Sequence, residues 1–372
     1  MIITIVAGAR PNFMKISPII KAIEKAKLTG ASINFRLVHT GQHYDKKMSQ
    51  DFFEQLGIPE PHINLDAGGG SQAEQTAAIM VRFEKELISN RPDVILVVGD
   101  VTSTMACAIT AKKLCIDAVH VEAGIRSGDM TMPEEINRIV TDSICDHFFT
   151  TSEVANKHLI ANGVTTDRIH FVGNTMIDTL YQNLGRLHKP EFWNEFSLTE
   201  NNYILVTLHR PTNVDDSSCL KKMLDAIMRG TSNLPVVFPV HPRTRKILDN
   251  LKYFNKRLLL VDPLGYLEFI YLIKYSRAVI TDSGGITEET TVLGIPCMTL
   301  RNSTERPETI TLGTNELVGT NPKELAPYLE KLLNNKWKKG GIPPLWDGHT
   351  SERIIEILLH LYNKSNGSIN RQ

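Results

Sequence analysis

The sequence is poor in the devices that hold small or metal-dependent proteins together. Its 372 residues include five cysteines, Cys107, Cys115, Cys145, Cys219 and Cys297. They are scattered, odd in number and free of any C-x-x-C pair, which disfavours both a disulfide framework and a zinc site. They read as small core residues of a cytosolic protein. No D-x-D pair or cysteine cluster offers metal ligands, so no metal and no cofactor is expected. No G-x-x-x-x-G-K-[ST] loop occurs, which excludes a Walker-type nucleotide site. No run reaches the roughly 18 apolar residues that a membrane span needs. The opening MIITIVAG meets Gly8 and Arg10 too soon for a secretory signal, and the expected location is the cytoplasm. A surplus of one charge is missing too: Lys+Arg and Asp+Glu number 41 each. No overall field therefore selects nucleic acid or an anionic membrane, although a locally basic pocket stays open. There is no short-period repeat and no low-complexity tract.

What is present is a rhythm. Short apolar runs alternate with helix-period stretches: IITIVAG, FRLVHTG, VILVVGD, AVHVEAG, HFFTTS and IHFVGN, then YILVTLH, PVVFPVH, LLLVDP, AVITDSGG and PCMTL. Continuous apolar runs suit strands buried on both faces, and the intervening helices supply the crossovers of parallel sheets. So many strands exceed a usual single sheet. Between about Asn174 and Asn202 the rhythm lapses into a polar and aromatic passage. The expected architecture is α/β: two doubly wound Rossmann-like domains facing a cleft, spanning 1–175 and 176–349. An amphipathic helix over 350–364, capped by Thr350 or Ser351, packs back on the first domain.

In open parallel sheets ligands occupy the crevice beyond the carboxyl ends of the strands, and here those ends are polar. In TDSGGITEE, Gly284 and Gly285 let a backbone approach a phosphate, the helix that follows aims free N–H groups at it, and Ser283 can donate as well. Glu288 and Glu289 could accept from ribose hydroxyls. The plainer alternative is a helix start whose acids complement the dipole. In AGARPNFMK, Arg10 suits bidentate phosphate recognition and Lys15 supplies a point charge. Asp100 of VVGD and Glu122 of HVEAG close successive strands and should share a rim. Glu134, Glu135 and Arg138 of MPEEINR join them. Close carboxylates separate their pKa values and can act as acid and base; taken singly, each could merely cap the next helix. His209 closes the first strand of the second domain, while His43, His120 and His241 read as structural.

The stretches GARPNFMK, GQHYD, VVGDVTST, HVEAGIRSGD, MPEEINR, LHRPTN, DSGGITEE and RNSTERPE together resemble the non-hydrolysing UDP-N-acetylglucosamine 2-epimerases. They occur in family order from residue 8 to 308. The resemblance implies a glycosyltransferase-B-like fold, a UDP-sugar as substrate, no cofactor, and a homodimer. It implies epimerisation at C2 of UDP-N-acetylglucosamine by loss of UDP to 2-acetamidoglucal and its re-addition. Arg10, Lys15 and His209 would then lie near pyrophosphate and sugar, Asp100, Glu122 and Glu134 would supply carboxylates, and Arg138 would orient them. Ser283, Gly284 and Gly285 would hold phosphate, Glu289 the ribose, Arg306 further oxygens, and Phe269 the uracil. GQHYD matches only at Gln42 and His43, and LDAGGGSQAEQT departs from the pattern in lacking a clear match to the glutamine that some bacterial members place in their Gly-rich loop, which leaves Gln72 as its substitute. Relatives acting on UDP-2,3-diacetamido-2,3-dideoxyglucuronate share the GARP start, and a UDP-sugar glycosyltransferase of the same fold is a further alternative.

Overall fold

Strands that are apolar on both sides need cover on both faces, and helices provide it. The computed structural model describes residues 1–41 and 53–368. They divide into two units, Met1–Gln182 with the chain from Pro344 onward, and Asn183–Pro343. The division falls inside the polar passage. That passage is anchored in the second unit by Trp193, which is buried and meets Tyr203 and Tyr271 edge-on at centroid distances of 5.5 and 5.3 Å.

The first unit holds a seven-stranded sheet of order β3-β2-β1-β4-β5-β6-β7. Its strands are β1 (Ile2–Ala7), β2 (Asn34–His39), β3 (Ile63–Asn64), β4 (Val94–Val98), β5 (Asp117–Val121), β6 (His147–Thr150) and β7 (Ile169–Phe171), and every neighbouring pair is parallel. The helices that position the site are α1 (Arg10–Leu28), α2 (Gln72–Ser89), α3 (Thr102–Lys113), α4 (Pro133–Ile144), α5 (Glu153–Ala161) and α6 (Thr175–Asn183). Helix α2 shows why these segments coil: Ser71 and Glu74 form a reciprocal capping box, and Ile79, Phe83 and Leu87 put one apolar stripe on the sheet. Helix α3 is buried on most of its surface through Ala106, Cys107, Ala108 and Ala111.

The second unit holds a six-stranded parallel sheet of order β10-β9-β8-β11-β12-β13. Its strands are β8 (Ile204–Thr207), β9 (Val236–Pro239), β10 (Leu258–Val261), β11 (Ala278–Thr281), β12 (Cys297–Thr299) and β13 (Asn315–Leu317). Around them lie α7 (Ser217–Gly230), α8 (Pro242–Asn250), α9 (Tyr266–Tyr275), α10 (Gly284–Leu293), α11 (Pro307–Thr311) and α12 (Leu325–Leu333). Ile204, Val206, Leu224, Ile227, Phe238 and Leu329 form part of its core, and burying each such side chain stabilises the unit by about 1.5–3 kcal/mol.

Edge strands β3 and β13 were not among the runs read from the sequence. At two and three residues they are too short to show a period. The last helix, α13 (Thr350–Ser368), lies against α1, with Lys25 Nζ 2.6 Å from Glu352 Oε1. Its cap is not the expected Thr350 or Ser351 hydroxyl. Asp178 of α6, fully buried, accepts from the Thr350 and Ser351 amides at 3.0 and 2.6 Å. A carboxylate meets two free N–H groups at once and complements the helix dipole, which one hydroxyl cannot do as well.

Strand order reverses between β1 and β4 in one sheet and between β8 and β11 in the other. Adjacent crossovers leave in opposite directions there and open a crevice at the carboxyl ends.

Candidate active site

At the first reversal the turn after β1 is pinned by Asn12. Its Oδ1 accepts from the Gly8 and Ala9 amides at 3.1 and 2.9 Å, and its Nδ2 donates to the Val98 carbonyl of β4 at 3.1 Å. Gly8 is obligatory, because a Cβ there would stand 2.0 Å from Ser103 Oγ. One turn into α1, Lys15 reaches across the end of β4 and places Nζ 2.6 Å from Glu122 Oε2, both side chains nearly buried. Gly99 makes room: its φ is +67°, and a Cβ there would lie 2.9 Å from Lys15 Nζ. Glu122 itself has φ 70°, a left-handed conformation that costs a non-glycine residue roughly 1–3 kcal/mol and concentrates at functional sites.

Asp100 is partly exposed and takes Arg138 Nε at 3.1 Å and Arg138 Nη2 on the same oxygen. Asn137 Nδ2 holds the Asp100 carbonyl at 2.8 Å. Arg138 therefore fixes the orientation of the Asp100 carboxylate. The two glutamates of MPEEINR separate. Glu135 is buried and accepts from Ser127 N, Ser127 Oγ, Gly128 N and Arg138 Nη1. Burial pushes its pKa up, but these donors outweigh it and hold it below the usual carboxylate range. Glu134 is half-buried and has no side-chain partner among the described residues. One glutamate ties down the loop and the other stays available.

Beneath them His120 is fully buried and spans Asp142 Oδ1 at 2.7 Å and the Gly99 carbonyl at 2.8 Å. Asp142 also takes Gly124 N and Arg126 Nη1. Burial raises its pKa, yet His120 and Arg126 bring it below the ordinary value. The pair clamps the turns that carry Asp100 and Glu122, in keeping with a structural His120.

The second reversal is built on Asp282, fully buried at the end of β11. It accepts from the His209 and Arg210 amides, from Asn213 Nδ2 at 3.0 Å, and from His209 Nδ1 at 2.8 Å. Ser283 is the N-cap of α10 and makes no side-chain cap bond, so the amide donors of the first turn stay open. A Cβ on Gly285 would meet nothing within 4 Å, and one on Gly284 only ordinary contacts with Arg301 and Glu305. Nothing in the fold demands glycine at 285. Glu288 and Glu289 lie within α10, buried and pointing inward rather than complementing the helix start as the plainer reading had it. Glu288 pairs with Arg306 Nε. Burial, then the charge of Glu288, pushes Glu289 up to about 8 despite a hydrogen bond with Tyr266. Its Oε1 finds no partner among the described residues, an omission that costs about 1–3 kcal/mol. Phe269 is half-buried on α9.

The sequence reading missed Asn12, Asp282, Asn213 and the buried Arg301–Glu305 pair, whose two hydrogen bonds are each 2.7 Å. Asp282 stood in a quoted motif, but its bond to His209 depends on β8 and β11 being neighbours. The Arg10 side chain, Gln42 and His43 fall outside the described residues. Gln72 opens α2 and accepts from Thr102 Oγ1 at 3.2 Å. Among the described residues no helix is long and apolar enough to cross a membrane, and no group of three or more His, Cys, Asp or Glu could hold a metal.

A family model described as UDP-N-acetylglucosamine 2-epimerase matches residues 26–359. The UDP-N-acetylglucosamine 2-epimerase of Methanocaldococcus jannaschii is 41% identical over 97% of this chain and 99% of its own. The UDP-2,3-diacetamido-2,3-dideoxy-D-glucuronate 2-epimerase of Pseudomonas aeruginosa is 39% identical over 97% and 99%. A crystal structure of the Methanocaldococcus jannaschii enzyme in complex with UDP-GlcNAc and UDP superposes with a TM-score of 0.85 at 42% identity, covering 97% of this chain and 100% of that one.

Proposed function

Because the chain belongs to the UDP-N-acetylglucosamine 2-epimerase family, we propose that it interconverts UDP-N-acetylglucosamine and UDP-N-acetylmannosamine by elimination and re-addition of UDP. The C2 hydrogen of this sugar is not next to a carbonyl, so direct deprotonation is too slow. In the proposed route a base takes the C2 proton, its electron pair forms the C1=C2 bond of 2-acetamidoglucal, and the C1–O pair leaves with UDP. An acid then protonates C2 from the other face, and the diphosphate oxygen re-adds at C1. The route needs an acid and a base, a stabilised leaving group, and exclusion of water from the intermediate.

The first unit supplies proton-transfer groups in Asp100, Glu122 and Glu134, with Lys15 against Glu122 and Arg138 orienting Asp100. The second unit supplies the diphosphate site: the open N-terminus of α10 with Ser283, Gly284 and Gly285, assisted by Arg306 and His209; Arg10, which belongs to the first unit, is assigned to a phosphate oxygen. Glu289 takes a ribose hydroxyl, and Phe269 lines the uracil. The observation that carries the reading is the pairing of Lys15 with a strained, buried Glu122 next to the Arg138-held Asp100, a set that binding a nucleotide sugar does not by itself require. The protein acts in the cytoplasm as a homodimer in this reading.

Incubation with UDP-N-acetylglucosamine alone in D2O tests it. Deuterium at C2 and the manno epimer, without net UDP release, are the expected products. An unchanged sugar would remove the reading and favour a glycosyltransferase, and free N-acetylmannosamine with stoichiometric UDP would identify a hydrolysing enzyme. The Pseudomonas aeruginosa relative makes UDP-2,3-diacetamido-2,3-dideoxyglucuronate the second substrate to assay.

A further inference from the structure

We infer that Asp282 is the positioning residue for His209, fixing its ring as the Nδ1–H tautomer and presenting a bare Nε2 to the diphosphate end of the substrate. This rests on His209 taking part in the epimerisation proposed above. The geometry lies wholly within the second unit. Asp282 is fully buried where β11 ends beside β8, and each of its oxygens faces donors alone. Oδ1 accepts from His209 N at 3.2 Å and His209 Nδ1 at 2.8 Å; Oδ2 accepts from His209 N at 3.1 Å, Arg210 N at 3.0 Å and Asn213 Nδ2 at 3.0 Å.

A carboxyl surrounded by donors has no acceptor to which a proton of its own could be given. Burial pushes its pKa up, but His209 and the other donors keep it below the ordinary value, so it stays ionised. An ionised carboxylate only accepts, and His209 Nδ1 must therefore carry hydrogen. The neutral ring then has its lone pair on Nε2. The His209 side chain is 60% exposed, so packing does not set its orientation; the Asp282 bond does. Asn213 extends the clasp by donating to the Leu300 carbonyl of the segment after β12 at 3.3 Å, and Arg210 Nε donates to the Asp282 carbonyl at 3.2 Å. When Nε2 gains a proton, the imidazolium faces the Asp282 carboxylate through Nδ1 and can donate to a diphosphate oxygen. The same arrangement of carboxylate and imidazole tunes unrelated enzymes.

The test is a double-mutant cycle of Asp282→Asn and His209→Ala, read with the tautomer. In Asp282→Asn the amide oxygen best serves the larger donor set at the Oδ2 position, which turns the NH2 toward His209 Nδ1 and forces hydrogen onto Nε2. Expected are a kcat at least ~100-fold lower, UDP affinity within about threefold of wild type, and no further loss when Asp282→Asn is added to His209→Ala. An equal loss in both backgrounds would overturn the inference, because Asp282 would then act independently of His209. Should Asp282→Asn not fold, long-range proton–nitrogen correlation on the wild-type imidazole decides the matter: Nε2–H in the neutral ring overturns the inference, and bare Nε2 supports it. Wild-type rate in His209→Ala would instead defeat the role of His209, a separately visible result.

Discussion

Glu122→Gln is the most informative perturbation, because it removes a charge while keeping the shape. The wild-type carboxylate is 4% exposed and meets Lys15 at 2.6 Å. Removing one partner of a buried ion pair outright costs about 3–5 kcal/mol. Glutamine keeps an oxygen for Lys15, so the expected destabilisation is smaller, about 1–3 kcal/mol. Its φ of 70° suits glutamine no better than glutamate, so backbone strain does not change. That loss lies within the stability of an ordinary domain, and the melting temperature should fall by several degrees. Activity should fall much further. If Glu122 moves a proton, glutamine cannot replace it, and the rate of epimerisation should drop at least ~100-fold, about 2.7 kcal/mol in barrier. UDP affinity should hold, because UDP is assigned mainly to the other unit. The assays are deuterium incorporation at C2 by mass spectrometry, calorimetric titration with UDP, and a thermal melt. A folded variant epimerising within about threefold of wild type would refute the proton-transfer role and leave Glu122 as a structural partner of Lys15.

Three further outcomes follow from single residues. Gly285→Ala adds a methyl where nothing lies within 4 Å, so thermal stability should hold or rise by up to about 1 kcal/mol, while the calorimetric Kd for UDP rises at least ~10-fold; unchanged affinity would show that phosphate does not bind there. Burial and the charge of Glu288 push the Glu289 carboxyl from its ordinary 4.5 up to about 8 in the fold, so its stabilisation is complete below 4.5 and declines as pH rises toward 8. Urea midpoints of Glu289→Gln should therefore fall less between pH 5 and 8 than those of wild type, and parallel curves would refute the assignment. Asp178→Ala removes both cap bonds from α13 at a cost of about 1–2 kcal/mol, and should speed hydrogen exchange over residues 350–362 while β1 and β4 stay protected; uniform protection would place the anchoring of α13 elsewhere.

The chain itself determined its class, its motif positions and every strand described except the short edge strands β3 and β13. Apolar runs of four to six residues, such as those of β1, β4 and β8, announce strands covered on both faces because their period is written in consecutive side chains. Gly8, Asp100, Glu122, His209 and Ser283 stand at the ends of such runs, so their placement at strand termini was legible as well. Tertiary structure alone decided which termini are neighbours. Strand order β1-β4-β5 and β8-β11 brings Lys15 to Glu122 across 107 positions and His209 to Asp282 across 73, and no local periodicity encodes a pairing at that separation. It also decided which of two adjacent glutamates binds the loop. Glu134 and Glu135 are equivalent in composition and differ only in the face of α4 they occupy, and that face is set by the fit of the helix to its neighbours.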